Sequence, residues 1–150
     1  MTIPKLIRTP AVTVTRASIR KTEIVYVLVT DKKLKYPERR SRIVYIGMSH
    51  AGVHRVAKSA ADRAQKILDM NGVLSFSARI IHYPDIPVEN LVGVKRKPAL
   101  LLERALLAAF IQKYGSLPKC NSMGKNIKGL GAEFKVFSRT RIERILEDLE

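Results

Sequence analysis

Two short segments decide the fold of this chain: residues 23–29, with the sequence EIVYVLV, and residues 43–46, with the sequence IVYI. Both are rich in β-branched and aromatic residues, which favour strands. The segment between them, residues 31–42 (DKKLKYPERRSR), is polar, contains one proline and carries six basic side chains. We therefore predict an antiparallel hairpin whose connection is a long, strongly basic turn.

Two further segments have the periodicity of helices, and a third strand is predicted between them. Residues 98–114 begin with a proline, are apolar nearly all round and end before Gly115, which predicts a buried central helix. Residues 74–83 (LSFSARIIHY) predict a strand that ends at Pro84. Ser49 is a suitable cap for the earlier helix, and Asn71-Gly72 is its stop signal. Its apolar stripe, which leaves Ser59 outside, consists of Val53, Val56, Ala57, Ala60, Ala64, Ile67 and Leu68.

The C-terminal residues complete the order of elements. Residues 133–137 predict a short strand, and Ser138 is a suitable cap for a final amphipathic helix. We predict an α+β (mixed α/β) fold, in which a small, mainly antiparallel three-stranded sheet is flanked by helices and followed by a C-terminal helix. We expect the 150 residues to form a single domain. Its core is expected over residues 23–121, with an N-terminal extension over residues 1–22 and a C-terminal strand–helix appendage over residues 132–150.

The charge of the chain indicates a polyanionic partner. There are 28 Lys plus Arg against 13 Asp plus Glu, which gives a formal net charge of +15. Nucleic acid is the commonest polyanion that such a protein binds. No apolar run is long enough to cross a bilayer, and the first residues lack the apolar region of a secretory signal. The single cysteine, Cys120, makes no internal disulfide, so we expect a cytoplasmic protein, associated with the nucleoid if the source is prokaryotic.

Four side chains stand out as candidates for chemistry, each with a plain structural alternative. Glu103 has only apolar neighbours on its face of the predicted helix, so its carboxylate must pair with a basic side chain, bind a cation or reach a cleft. Tyr26 and Tyr45 lie inside predicted strands, where a tyrosine is commonly a core or cross-strand residue. Arg55 is either an ordinary surface arginine or a residue that holds a phosphate.

Taken in order, Ile24-Val25-Tyr26, Tyr45-Ile46-Gly47, Arg55, Glu103 and Asn121 resemble the motifs of the GIY-YIG nucleases. The second motif is intact, whereas the first has isoleucine and valine where the family has glycine and isoleucine. The arginine follows Tyr45 by ten residues, as in the family. The glutamate lies on a helix that is followed by a glycine, a Leu-Pro pair and the asparagine, which is also the family's pattern. The resemblance covers residues 24–121, about two thirds of the chain.

The resemblance implies a metal-dependent DNA endonuclease that hydrolyses phosphodiester bonds. In that family role, Glu103 holds one Mg²⁺ or Mn²⁺ ion, and Arg55 stabilises the phosphate. Tyr26 and Tyr45 orient or activate the attacking water, and Asn121 fixes the geometry of either the phosphate or its own loop. The family commonly has a histidine or tyrosine where this chain has Ser59. The candidate accessory groups are therefore Ser59 itself, His54 and Lys58.

We expect the partner to be nucleic acid, with double-stranded DNA favoured, and we expect no membrane partner. An oligomer is compatible with the sequence but is not indicated by it. Two other classes of protein are also compatible: a catalytically silent nucleic-acid-binding module on the same fold, and an unrelated basic RNA-binding protein. The candidate contacts to nucleic acid are the basic side chains of two loops, namely Lys32, Lys33, Lys35, Arg39, Arg40, Arg42, Lys125 and Lys128.

Overall fold

The computed structural model describes residues 1–8, 23–122 and 133–150. The predicted α+β fold, with its three-stranded antiparallel sheet, flanking helices and C-terminal helix, is confirmed. No helix within the described ranges is long and apolar enough to span a membrane. The elements are β1 (Ile24–Lys35), β2 (Arg40–Ser49), α1 (Val53–Leu68), β3 (Phe76–Ile81), a 3₁₀ turn (Val88–Leu91), α2 (Pro98–Tyr114), α3 (Glu133–Val136) and α4 (Arg139–Asp148).

The sheet is built around β1, which pairs antiparallel with β2 on one side and with β3 on the other. In this register Tyr26 lies opposite Gly47 on β2 and opposite Ile80 on β3. All residues from Ile24 to Leu28 are buried. A central strand that is covered on both faces has a continuous apolar run in place of an alternating one, which is the pattern of this segment.

The basic connection is shorter than the predicted turn over residues 31–42. Strand β1 continues to Lys35 and β2 begins at Arg40, so that only four residues remain between the strands. Leu34 lies opposite Ser41, and both side chains are buried. The charged residues of the segment alternate with these inward-facing positions. Residues 31–42 therefore form a two-stranded ribbon in which one side faces the core.

The tip of this ribbon is fixed to the end of α2. The phenol of Tyr36 donates a hydrogen bond of 2.6 Å to the carbonyl of Ile43, and its ring packs edge-on against Phe110 at 5.1 Å. Burial raises the pKa of Tyr36 to about 12, so this phenol stays protonated as a donor. The amide of Glu38 donates to the carbonyl of Tyr114 at 3.1 Å. The tip of the ribbon is therefore anchored to the core.

Helix α1 begins later than predicted. Its N-cap is Gly52, whose φ of 79° is favourable for glycine, and the first helical residue is Val53. The prediction that Ser49 caps this helix is wrong. The Ser49 hydroxyl accepts a hydrogen bond of 3.1 Å from the amide of Ala51 and donates to the carbonyl of Gly52. It therefore stabilises the turn that leads into the helix.

The buried face of α1 is also rotated relative to the predicted apolar stripe. The buried residues are Val56, Ser59 and Ile67, whereas Ala57 is exposed and Leu68 is 45% exposed. The rotation follows from a polar contact, because the Ser59 hydroxyl accepts a hydrogen bond from the sheet below it. A pattern based on apolar residues alone does not include such a position.

Helix α2 has the predicted bounds and occupies the centre of the core. It begins at Pro98, and it ends before Gly115, which has a φ of 86°. Eleven of its seventeen residues are buried, and it contacts β1, β2, α3 and α4. Helix α4 packs on it through the buried side chains of Ile142 and Leu146. The predicted cap of α4 is confirmed, since the Ser138 hydroxyl accepts a hydrogen bond of 3.4 Å from the amide of Arg141.

The predicted strand over residues 133–137 is wrong, because these residues form the one-turn helix α3. The amide of Phe137 donates to the carbonyl of Glu133 at 3.0 Å, which closes the turn. The Glu133 carboxylate accepts a hydrogen bond of 2.7 Å from Nε of Arg104 on α2, and both side chains are buried. This ion pair fixes the segment on the helix layer, away from the sheet, so the C-terminal appendage contains two helices.

Candidate functional site

The two candidate tyrosines lie side by side on neighbouring strands. Tyr26 on β1 and Tyr45 on β2 have ring centroids 5.8 Å apart. Tyr26 is opposite Gly47, and residues two apart on a strand share a face, so both rings lie on the same face of the sheet. A Cβ atom at Gly47 would lie 2.5 Å from Cε1 of Tyr45. The glycine of the second motif therefore leaves the space that this ring occupies.

Tyr26 is the buried member of the pair. Its side chain is 2% exposed, and its phenol donates a hydrogen bond of 2.6 Å to Oγ of Ser59 on α1. Burial raises the pKa of Tyr26, the bond to Ser59 lowers it, the neighbouring Tyr45 raises it again, and the net direction is upward. The phenol is therefore a protonated donor at neutral pH, and Ser59 is its acceptor.

Arg63 completes this group, although the sequence analysis did not select it. Its guanidinium stacks on the ring of Tyr45, with Cζ 3.8 Å from the ring centroid. Nη1 donates to Oγ of Ser59 at 2.7 Å and to the carbonyl of Ser59 at 3.2 Å. The spacing of four residues between the serine and the arginine, one helical turn, is the signal that could have identified it. We refer to Tyr26, Tyr45, Ser59 and Arg63 as the tyrosine–arginine cluster.

Arg55 lies outside this cluster, in the first turn of α1. It is exposed, and it precedes Arg63 by eight residues, about 12 Å along the helix axis. The first turn carries no acidic residue and Gly52 supplies no side-chain cap, so the first amides of α1 and the Arg55 guanidinium all favour an anion. Of the accessory candidates, His54 and Lys58 are exposed, and Lys58 forms an ion pair of 2.9 Å with Asp62.

Glu103 lies in the interior, as its apolar neighbours on α2 predict. Its side chain has no exposed surface. A Mg²⁺ ion that is held by one carboxylate keeps most of its ligands as water, so it needs a carboxylate oxygen that water reaches. The enclosed Glu103 does not present one. Within the described residues, no group of three or more His, Cys, Asp or Glu side chains is placed to hold a metal ion. Mg²⁺ or Mn²⁺ therefore does not fit Glu103 in this arrangement.

The side chain of Asn121 forms hydrogen bonds with the backbone of Ile46, the middle residue of the second motif. Its Oδ1 accepts a hydrogen bond of 3.0 Å from the amide of Ile46, and its Nδ2 donates to the carbonyl of Ile46 at 2.8 Å. The amide of Cys120 donates to the carbonyl of Val44 at 2.8 Å. These bonds satisfy backbone groups along the outer edge of β2, as the bonds of a neighbouring strand would. Of the two roles that the sequence left open for Asn121, the geometry supports the structural one, which holds the backbone that carries Tyr45.

The six candidate contact residues on the end of β1, the turn and the start of β2 are all exposed. Arg39, at the turn, differs from the rest because it lines a surface cleft of about 250 Å³ together with Glu143 and Glu147 of α4. Lys125 and Lys128 lie outside the described residues. Because Leu34 and Ser41 point inward, the alternation of the strands places four cations on the outer side. We call these four residues the basic ribbon: Lys33, Lys35, Arg40 and Arg42.

Comparisons with protein-family models, with curated proteins and with solved structures give no match for this chain. The resemblance to GIY-YIG nucleases therefore depends on the motif residues, their spacing and the positions described above.

Proposed function

We propose that this chain is a nuclease of the GIY-YIG type that hydrolyses phosphodiester bonds in double-stranded DNA. The observation that carries the proposal is the placement of Tyr26 and Tyr45, the tyrosines of the two motifs, side by side on paired strands. Gly47 leaves space for one of the rings, and α1 lies over the other through Ser59. The net charge of +15 supports a phosphate backbone as the partner.

In this proposal Arg55 holds the phosphate that is attacked. A guanidinium donates two parallel hydrogen bonds to phosphate oxygens and keeps its charge at any physiological pH. The exposed position of Arg55 in the first turn of α1, where backbone amides also point outward, favours an anion there. As negative charge increases on the phosphate oxygens in the transition state, these donors bind more strongly.

The two tyrosines have different roles. Tyr45 is partly exposed, so its phenol is the one within reach of a water molecule beside the phosphate. Tyr26 is buried and donates a hydrogen bond to Ser59, so it supports the position of α1 over the sheet. A raised pKa makes Tyr26 a weak candidate for a general base, because its phenolate is scarce at neutral pH. We assign the orientation of the attacking water to Tyr45.

The resemblance implies a divalent metal ion that would neutralise the charge on the phosphate and on the leaving oxygen. Glu103 is enclosed in this arrangement, so the roles assigned here are those of Arg55 and Tyr45. The test is nicking of supercoiled plasmid DNA by the purified protein with Mg²⁺, with Mn²⁺ and with EDTA. We expect cleavage that EDTA abolishes and that Arg55→Lys impairs. Wild-type protein that binds the plasmid and leaves it intact under all three conditions would contradict the nuclease proposal.

A second candidate function, a catalytically silent nucleic-acid-binding module, is favoured by the enclosure of Glu103. Cleavage by the wild-type protein separates the two candidates, and the substitution Glu103→Gln, which keeps the size of the side chain and removes its charge, tests the role of the enclosed carboxylate. The nuclease proposal requires cleavage by the wild type that Arg55→Lys impairs. The silent module requires no cleavage by wild type or variant, tight duplex binding by both, and an effect of the substitution on thermal stability alone. A strong preference for structured RNA over duplex DNA in a competition assay would contradict both and favour an RNA-binding protein.

A further inference from the structure

Arg63 is a cation with neutral partners. It is partly buried between α1 and the sheet, and its contacts are the Tyr45 ring and the two oxygens of Ser59. In the described part of the chain, no carboxylate lies within ion-pair distance of it. The buried Arg104 on α2, in contrast, faces the carboxylate of Glu133. Arg63 therefore carries its charge in a partly desolvated position without an ion pair in the described part of the chain, and the neighbouring Asp62 carboxylate acts on it only over a longer distance.

A partly desolvated cation of this kind favours the binding of an anion. Removing a charge from water costs free energy that a counter-charge normally offsets. Stacking on Tyr45 fixes the plane of the guanidinium, and the bonds from Nη1 anchor one corner of it. Among the described residues, Nε and Nη2 make no hydrogen bond. Those two nitrogens form the edge of the guanidinium that binds carboxylate or phosphate oxygens in parallel pairs.

We propose that Arg63 binds the non-bridging oxygens of a DNA phosphate at the tyrosine–arginine cluster. This inference rests on the proposed function, because it places a second phosphate contact beside Tyr45. Arg55 and Arg63 are on the same helix, about 12 Å apart along its axis, so they contact different points of the DNA backbone. Arg63 also holds the Tyr45 ring, and its loss therefore affects binding and positioning together.

The first experiment compares duplex binding by Arg63→Met, Arg63→Lys and a matched control, Arg79→Met. The control arginine is exposed on β3 and lies opposite Val27, so it is on the other face of the sheet from Tyr26. We expect Arg63→Met to weaken binding about tenfold and to reduce the log–log salt slope by about one unit. Arg63→Lys keeps the slope, because it keeps the charge, but loses affinity. Unchanged affinity and slope in Arg63→Met would overturn the proposal.

A second measurement uses the wild-type protein, so that it does not depend on the folding of a variant. The Nε–Hε resonance of Arg63 in an NMR spectrum is followed during titration with a phosphorothioate duplex, which resists cleavage. We expect this resonance to shift with saturation and that of Arg79 to stay in place. A resonance of Arg63 that does not move while the duplex binds would show that its role is limited to packing on Tyr45.

The two proposals fail separately in these experiments. Wild-type protein that binds duplex with a shifted Arg63 resonance and never cleaves it supports the phosphate contact and contradicts the nuclease function. Cleavage that is equally fast in wild type and in Arg63→Met supports the nuclease function and overturns the role of Arg63.

Discussion

Gly47 lies so close to the ring of Tyr45 that a Cβ atom on the glycine would be 2.5 Å from Cε1 and 2.8 Å from the phenol oxygen. No side chain fits between the two residues without displacing the ring. The same ring supports the guanidinium of Arg63 at 3.8 Å. Gly47, the last residue of the second motif, therefore determines the position of Tyr45, the first residue of that motif. Through the Tyr45 ring it also determines the position of Arg63.

The substitution Gly47→Ala should displace Tyr45 from its position. Overpacking of this kind costs about 1–3 kcal/mol of unfolding free energy. The matched comparison is the double-mutant cycle with Tyr45→Leu, which removes the ring atoms that the new methyl group meets. We expect Gly47→Ala to cost less in the Tyr45→Leu background, as measured by urea denaturation. Equal costs in both backgrounds would show that the glycine does not act through the ring.

Asn121 should stabilise the edge of β2 through both of its bonds to Ile46. In Asn121→Asp, the oxygen that replaces Nδ2 faces the carbonyl of Ile46, so one hydrogen bond is lost and two acceptors meet. We expect a loss of about 1–3 kcal/mol in unfolding free energy and faster hydrogen exchange at the Ile46 amide. Ser122→Ala, at the exposed neighbouring position, is the control and should change neither quantity. Unaltered exchange at Ile46 in Asn121→Asp would contradict the bonding that we describe.

Elements whose ends are marked by special residues were predictable from the sequence. Helix α2 has the expected bounds because Pro98 begins it and Gly115, with a φ of 86°, ends it. The predicted cap of α4 at Ser138 is confirmed for a similar reason. A hydroxyl that precedes an amphipathic helix accepts a hydrogen bond from an amide of the first turn. The motif tyrosines were placed on paired strands because β-branched neighbours mark both strands.

The features that were missed depend on tertiary contacts. The charges of the ribbon concealed the alternation of Leu34 and Tyr36, which point inward and continue the strand pairing. Ser59 and Arg63 face the sheet although both are polar, because their partners are a buried phenol and a ring from distant strands. Glu133 belongs to a helix because a partner 29 residues away holds its carboxylate. Local periodicity contains none of this information.

The basic ribbon should contribute more to DNA binding than Arg39 does. Arg40 and Arg42 lie on its outer side, where each phosphate contact that is lost reduces the log–log salt slope by about one unit. Arg39 shares its cleft with the carboxylates of Glu143 and Glu147 and with one further cation, Lys113, so the local positive potential is lower there than along the ribbon. We therefore expect Arg40→Ala and Arg42→Ala to lower both affinity and slope for all duplex sequences, and Arg39→Ala to have a smaller effect. If all three variants keep the wild-type slope, the ribbon lies outside the interface.

The buried ion pair between Arg104 and Glu133 should make stability depend on pH. Burial raises the pKa of the Glu133 carboxyl, but the hydrogen bond from Arg104, its own backbone and nearby positive charge lower it by more, so the net shift is downward from 4.5. A group whose pKa is lower in the folded state contributes stability above its unfolded value and loses it as the pH falls through the folded value. We expect the unfolding free energy to be fully developed above about pH 5 and to decrease below the ordinary glutamate range.

The substitution Glu133→Gln tests this dependence, since it removes the carboxylate charge that pairs with Nε of Arg104. Breaking a buried ion pair in this way costs about 3–5 kcal/mol at neutral pH. The control is Glu147→Gln, which removes a largely exposed carboxylate 3.6 Å from Lys113 and should cost well below 1 kcal/mol. Urea denaturation of wild type and both variants at pH 7 and pH 4 gives the comparison. The difference between wild type and Glu133→Gln should shrink at pH 4, below the ordinary glutamate value of 4.5, because the unfolded wild type then binds a proton that the folded ion pair resists. A difference that is equally large at both pH values would show that Glu133 stabilises α3 by packing and not by its charge.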